Sequence, residues 1–324
     1  MTKAIRFHEF GGPGVLKYED ITLAEPGEGE VRLRHTAIGL NFVDTYYRSG
    51  LYKSALPSGL GNEAAAVIEQ LGRGVKGFKV GDRVAYGTGD LGAYAEARNF
   101  PANRLVKLPK AISDETAAGM MLKGMTVRYL LRATYRVKRG ETILLHAAAG
   151  GVGLILSQWA KALGVKVIGT VGSYEKREIA LAHGCAHVIN SSTENVVERV
   201  KELTNGKGVP VVYDGVGQAT FATSLDCLSP RGLLASFGNA SGAVSAFNLG
   251  TLAAKGSLYV TRPTLGTYVA KDSDFKETVA DLIEVVKSGK VKININQRYA
   301  LADAAKAHED LAARRTTGAS VLLA

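Results

Sequence analysis

Residues 141–172 read ETILLHAAAGGVGLILSQWAKALGVKVIGTVG, and how this stretch folds decides the architecture of the chain. An apolar run, Thr142–Leu145, gives way to a turn of small residues from Ala147 to Gly153. Val152, Leu156, Trp159, Ala160 and Leu163 then recur on one helical face until Gly164 stops the pattern. A second apolar run, Val165–Thr170, follows. Strand, glycine turn, helix and strand make a βαβ unit whose turn is where a dinucleotide pyrophosphate sits. The turn AAGGVG (148–153) fits G-x-G-x-x-G with Ala148 in the first glycine's place. Gly150 would let the backbone approach the phosphates, and Gly153 would let the helix lie close on the strand. The free N–H groups of the helix start would face the anion.

Downstream the rhythm repeats. Apolar runs at Ala186–Ile189, Val209–Tyr213, Leu233–Phe237 and Leu258–Val260 bring the strand count to six. Helical stretches at Tyr174–His183, Asn195–Leu203 and Thr220–Leu228 lie between the earlier ones. Upstream, to about residue 110, the pattern is β structure broken by turns. Strand candidates there include Ala4–Glu9, Val31–His35, Ala64–Leu71, Arg83–Tyr86, Ala93–Ala97 and Leu105–Leu108, which an antiparallel barrel accommodates most simply. Helices begin near Ser113, with a break expected at Lys123-Gly124 before Met125–Tyr135. After Pro263 come an amphipathic helix Asp274–Lys287, a run Val291–Ile295, a helix Ala302–Arg314 and a strand Ser320–Leu323. These pieces cannot close a domain alone. The expectation is therefore a discontinuous domain, 1–124 with 264–324, around a dinucleotide-binding domain, 125–263.

The composition, 46% hydrophobic and 22% charged, belongs to a soluble globular chain. No apolar run reaches the ~18 residues of a membrane span. MTKAIRFHEF at the start alternates like a strand and is no signal peptide. Two cysteines, Cys185 and Cys227, build no disulfide framework, so a cytoplasmic location is expected. The net charge of +10 raises nucleic acid as a partner, but the basic residues are scattered in short pairs such as Lys138–Arg139 and Lys176–Arg177. A solvated surface and an anionic cofactor account for them better.

The motifs GLNFVDTYYRSGLY (39–52), GNEAAAVIEQLG (61–72), VGDRVAY (80–86), HAAAGGVG (146–153), VVYDGVG (211–217), SFGNASG (236–242) and RRTTGASVLL (314–323) run in order over nearly the whole chain. In them the chain resembles the zinc-independent quinone oxidoreductases, the zeta-crystallin-like branch of the medium-chain dehydrogenase/reductase superfamily. The resemblance implies an α/β fold: a GroES-like β-barrel domain plus a Rossmann domain with a doubly wound six-stranded parallel sheet. It implies homodimers or tetramers and NADPH-dependent reduction of quinones or related conjugated carbonyls, without metal. It places the 39–52 stretch at the cleft and gives Asn41, Tyr46 and Tyr52 as the residues lining nicotinamide and quinone. For the cofactor it implies Phe42, Tyr46, Thr126, Ala149, Gly150, Gly151, Val152, Gly153, Gly172, Ser173, Lys176, Ser191, Phe237, Gly238, Asn239, Leu265 and Arg314. A tyrosine hydroxyl can donate to a quinone oxygen and its ring can stack on the quinone, although half-buried tyrosines also serve simply as packing.

Catalytic zinc, as in the alcohol dehydrogenases of the superfamily, needs three Cys, His or carboxylate ligands. Where those enzymes read G-H-E this chain has Gly61-Asn62-Glu63, and their first cysteine ligand maps near Asn41. Neither amide is a good zinc ligand. His146, His183 and His187 are read as surface or packing residues. Two alternatives stay open. One is NADPH-dependent reduction of an enone or alkenal double bond. The other is a binding role, RNA or structural, though no basic stretch with interleaved aromatics marks an RNA reader.

The cofactor choice follows from the end of the second strand. An NAD site carries an acid about 20 residues past the turn for the ribose 2′-OH. Position 173, twenty after Gly153, is a serine; Glu175 is the nearby acid, and Lys176 and Arg177 follow it. A hydroxyl and a cation would hold a 2′-phosphate that a carboxylate at 173 would repel. The family often has Tyr where this chain has Ser191, so part of the adenine-side contact is expected to be lost.

Overall fold

The computed structural model describes all 324 residues, in two contact units: Met1–Lys123 with Ile293–Ala324, and Gly124–Lys292. In the first, alternating side chains let Thr2–Phe7 pair antiparallel with Lys17–Ile21 and with Ser58–Gly59. A seven-stranded sheet runs in the order Ile295–Ala300, Ala319–Leu323, Glu30–Leu40, Ala64–Leu71, Arg83–Tyr86, Val106–Lys107, and Ala97–Pro101 also pairs with Glu30–Leu40. Only its first pair is parallel. Glu30–Leu40 carries the core, burying Val31, Leu33, Ile38 and Leu40 against Phe7, Tyr86, Phe100 and Leu322. The expected strand Ala93–Ala97 lies elsewhere, at Ala97–Pro101. Residues 92–95 instead spread their bonds over two partners, Tyr94 N–H to Leu60 O and Ile5 N–H to Tyr94 O, so no ladder forms.

In the second unit the six strands are β1 (Thr142–Leu145), β2 (Lys166–Val171), β3 (His187–Asn190), β4 (Val209–Asp214), β5 (Leu228–Ser236) and β6 (Tyr259–Thr261). The helices between the early ones are α1 (Gly151–Ala162), α2 (Tyr174–Ala182), α3 (Val196–Leu203) and α4 (Phe221–Cys227). All pairings are parallel, in the order β3-β2-β1-β4-β5-β6, so the order reverses between β1 and β4. Loops at the carboxyl ends of strands at such a switch point are where an open α/β sheet takes its ligand. Both cysteines are free and buried, and no helix is long and apolar enough to cross a membrane.

Two further expectations are corrected. The helix expected to break at Lys123-Gly124 runs unbroken over Asp114–Tyr129. Gly124 is there for close packing: a Cβ on it would stand 2.4 Å from the Leu282 side chain. The chain also rejoins the first unit at Ile293, later than residue 264. The helix Asp272–Lys287 stays in the second unit because its apolar face, Leu282 included, is covered there. Arg128 holds it through Asp281 at 2.9 Å. Gln158 then pins Lys292 to α1 by a pair of bonds to its backbone, 2.9 and 3.0 Å.

Candidate functional site

The first loop at the switch point is the glycine turn. β1 ends at Leu145, His146 is buried, and Ala147 adopts left-handed backbone at φ 55°. The Ala148 N–H donates to Thr170 O and the Gly150 N–H to Ala147 O, each at 3.0 Å, closing the turn on itself and on β2. Gly150 enters α1 in extended conformation with no side-chain cap. The N–H groups of Gly151, Val152 and Gly153 are thus left without an intrahelical acceptor, the arrangement that holds a phosphate. A Cβ on Gly153 would stand 2.5 Å from the carbonyl oxygens of both Ala147 and Ala148, whereas one on Gly150 would meet only Ala147 O, at 3.3 Å. Gly153 is required by the packing of α1 on the turn, and Gly150 keeps the phosphate side open. The cradle fits a pyrophosphate.

At the end of β2, Ser173 caps α2, its Oγ accepting from the Lys176 N–H at 3.4 Å. Its hydroxyl also holds the Glu175 carboxyl below the usual carboxylate range. That hydroxyl is engaged within its own turn, and Lys176 and Arg177 supply the positive charge there. Ser191 and Ser192 donate to Val171 O and Gly172 O, at 3.0 and 3.1 Å. The loops after β4 and β5 are zipped together through glycines: a Cβ on Gly238 would lie 2.4 Å from Gly215 O. Phe237 N–H donates to Asp214 O and Ser241 N–H to Val216 O, both 2.8 Å. This sets Phe237, Gly238 and Asn239 beside the loop after β4. Thr126, on the helix Asp114–Tyr129, and Leu265, opening the short helix Leu265–Tyr268, belong to the same unit.

Sequence reasoning missed a buried polar chain behind this turn. His146 Nδ1 faces Thr170 Oγ1 at 2.9 Å and Nε2 faces Ser224 Oγ at 3.0 Å. Ser224 and Thr220 donate to Asp214 Oδ2 at 2.8 and 2.7 Å, while Oδ1 takes the Val216 and Gly217 N–H groups. The available signal was that His146, Thr170 and Asp214 each stand at the end of an apolar run.

In the first unit the structure brings Asn41, Phe42, Tyr46 and Tyr52 together. Asn41 caps the helix Phe42–Arg48; its N–H donates to Asp44 Oδ2 at 2.9 Å and its Nδ2 to Glu63 Oε1 at 2.8 Å. Glu63, wholly buried, also accepts Lys123 Nζ at 2.7 Å and the Leu122 N–H at 2.6 Å. Asn62 Nδ2 donates to Asp44 Oδ1 at 2.8 Å. Both amides therefore give an N–H to a buried carboxylate. The side-chain oxygen, a poor zinc ligand, is the metal-binding atom left to each, and no group of three His, Cys, Asp or Glu is placed to hold a metal ion. Tyr94 Oη also donates to Asp44, at 2.9 Å. Arg48 donates to His308 Nδ1 at 2.9 Å, which puts the neutral ring's proton on Nε2, facing Tyr94 Oη at 3.2 Å. Burial, together with Arg48, pushes the His308 pKa down to about 3, and burial lifts Asp44 to about 6. The Tyr46 and Tyr52 rings meet edge-on, centroids 5.2 Å apart, with Phe42 5.8 Å from Tyr46. Arg314 follows the helix Ala304–Ala312 of this unit with φ 58°.

Known proteins divide in the same way. Residues 27–110 match the family model of the alcohol dehydrogenase GroES-like domain, and residues 151–285 match that of the zinc-binding dehydrogenases. A quinone oxidoreductase of Pseudomonas aeruginosa is 59% identical, with all of both chains covered. A 2-haloacrylate reductase of a Burkholderia species is 46% identical over 100% of this chain and 99% of that one. The solved structure of Escherichia coli quinone oxidoreductase complexed with NADPH has a TM-score of 0.98 at 52% identity, covering 99% of this chain and 100% of that one. With a GroES-like and a dinucleotide-binding half in that order, the chain belongs to the quinone oxidoreductases, the zeta-crystallin-like branch of the medium-chain dehydrogenase/reductase superfamily.

Proposed function

We propose that the chain reduces quinones with NADPH and without a metal. The observation that carries this is the uncapped start of α1 behind a glycine turn at the switch point of the sheet, in a chain with full-length relatives, 52–59% identical, that are quinone oxidoreductases. The N–H groups of Gly151, Val152 and Gly153 hold the pyrophosphate, and Lys176 and Arg314 pair with the 2′-phosphate. Phe42, Thr126, Phe237, Gly238, Asn239 and Leu265 are assigned to the rest of the cofactor. The bound NADPH supplies a hydride. Asn41, Tyr46 and Tyr52 position the acceptor, with a tyrosine Oη donating to a quinone oxygen. A quinone that takes the hydride becomes an aromatic hydroquinone anion, which water can protonate.

A second reading is favoured by the 2-haloacrylate reductase match: reduction of an activated carbon–carbon double bond with the same cofactor. NADPH consumption with a panel of quinones, enones, 2-chloroacrylate and alcohols separates the two. Quinone turnover well above all others is expected; turnover of double bonds alone would overturn the first reading.

For assembly we favour a homodimer through the open edge of the second unit's sheet. β6 is the edge strand, and Tyr259 on it is 62% exposed. An apolar edge of this kind invites pairing with another chain. Two free cysteines suit a reducing cytoplasm.

A further inference from the structure

His146 is a buried titratable group for which the reaction above has no use. Its proton can be placed by counting donors. Ser224 has one hydroxyl proton and gives it to Asp214, so at its contact with His146 it accepts. The imidazole, kept neutral by burial, therefore carries its proton on Nε2, and Nδ1 accepts from the Thr170 hydroxyl. Thr170 acts twice: its hydroxyl holds His146 while its carbonyl holds the Ala148 N–H at 3.0 Å. The residue between those two anchors is Ala147, at φ 55°. Left-handed backbone is disfavoured for an alanine by roughly a factor of ten. Its carbonyl takes the Gly150 N–H, which sets the direction from which α1 starts.

We infer that His146 is a positioning residue for cofactor binding. Clamped to Thr170 and Ser224, it holds Ala147 in left-handed backbone and so keeps the N–H groups of α1 aimed at the pyrophosphate. This rests on the reading that the turn takes the cofactor.

The test is a double-mutant cycle on NADPH affinity, by calorimetric titration of the full-length protein at a temperature where circular dichroism shows each variant folded. His146→Leu should weaken NADPH about tenfold, the factor that relaxation of Ala147 allows. Ala147→Gly should bind nearly as wild type, because glycine adopts positive φ without strain. In the Ala147→Gly background, His146→Leu should weaken NADPH threefold or less. His146→Gln, whose Nε2 can still donate to Ser224, should recover most of the affinity. Wild-type affinity in His146→Leu, or equal weakening in both backgrounds, would overturn the clamp. Nitrogen-15 spectra of the wild-type imidazole are independent of whether any variant folds: the Nε2–H tautomer is expected, and the Nδ1–H tautomer would overturn the inference. A wild-type protein that binds no NADPH would sink the cofactor reading, and with it the role of the clamp.

Discussion

Glu175 and Lys176 are neighbours in the first turn of α2, and their charges would pull on a 2′-phosphate bound there in opposite directions. Hydrogen bonds to charged groups contribute ~1.5–3 kcal/mol, so Lys176→Ala should weaken NADPH roughly 10- to 150-fold in a calorimetric titration. NADH affinity should barely move; equal loss for both cofactors would show the phosphate to lie elsewhere. Glu175→Gln should tighten NADPH a few-fold and leave NADH unchanged. The two turn glycines differ in the same local way. Gly150→Val should abolish cofactor binding with little loss of stability, whereas Gly153→Leu forces a side chain onto the carbonyls of Ala147 and Ala148. Thermal unfolding should fall by at least the equivalent of ~3 kcal/mol for the second and by far less for the first. The turn and the start of α2 were legible as elements because spacing within one short window gives their residues meaning. Asn62 with Asp44, or His146 with Ser224 78 residues away, was not, because each partner arrives only through the fold.

At the level of elements, the capping turn of Phe42–Arg48 carries a pH dependence. Burial raises the Asp44 carboxyl to about 6 despite the bonds from Asn41, Asn62 and Tyr94. A raised carboxyl binds its proton more tightly in the folded chain than in the unfolded one. The stability it contributes is therefore complete below its ordinary value of 3.8 and is lost as pH rises through about 6. Relative to Asp44→Asn, the wild type should lose about 2 kcal/mol between pH 4 and pH 7 in denaturant unfolding. A pH-independent difference would refute this. The six parallel strands were readable because buried strands are continuous apolar runs of the right length. The break expected at Lys123-Gly124 was a misreading with a physical cause. Glycine is a poor helix former in isolation, but here its missing side chain admits Leu282, and packing outweighs propensity.

For the whole molecule, activity should survive exhaustive chelation, and elemental analysis should find no stoichiometric zinc; one tightly held zinc per chain would contradict the metal-free reading. If copies associate through β6, Tyr259→Lys should shift the protein toward monomer in sedimentation while leaving NADPH affinity unchanged. The broad division into two halves was visible in the change from strand alternation to βα rhythm. The point of return was not: whether Asp272–Lys287 covers one unit or the other depends on Arg128 and Gly124, far away in sequence.

The discontinuity of the first unit has a consequence for synthesis. The strand Ala319–Leu323 lies inside its sheet, between Ile295–Ala300 and Glu30–Leu40. The second unit, by contrast, is one uninterrupted run of chain, Gly124–Lys292. On a ribosome, the strands up to Pro101 emerge and then wait about 200 residues for their neighbour, on the order of ten to forty seconds at ordinary elongation rates. Meanwhile the end of Glu30–Leu40 that the late strand covers, Ile38 to Leu40, offers unpaired backbone to any chaperone or nascent neighbour. Ribosome-arrested chains in which residue 292 is followed by a flexible linker long enough to clear the exit tunnel should hold a protease-resistant second unit and a first unit still open to cleavage.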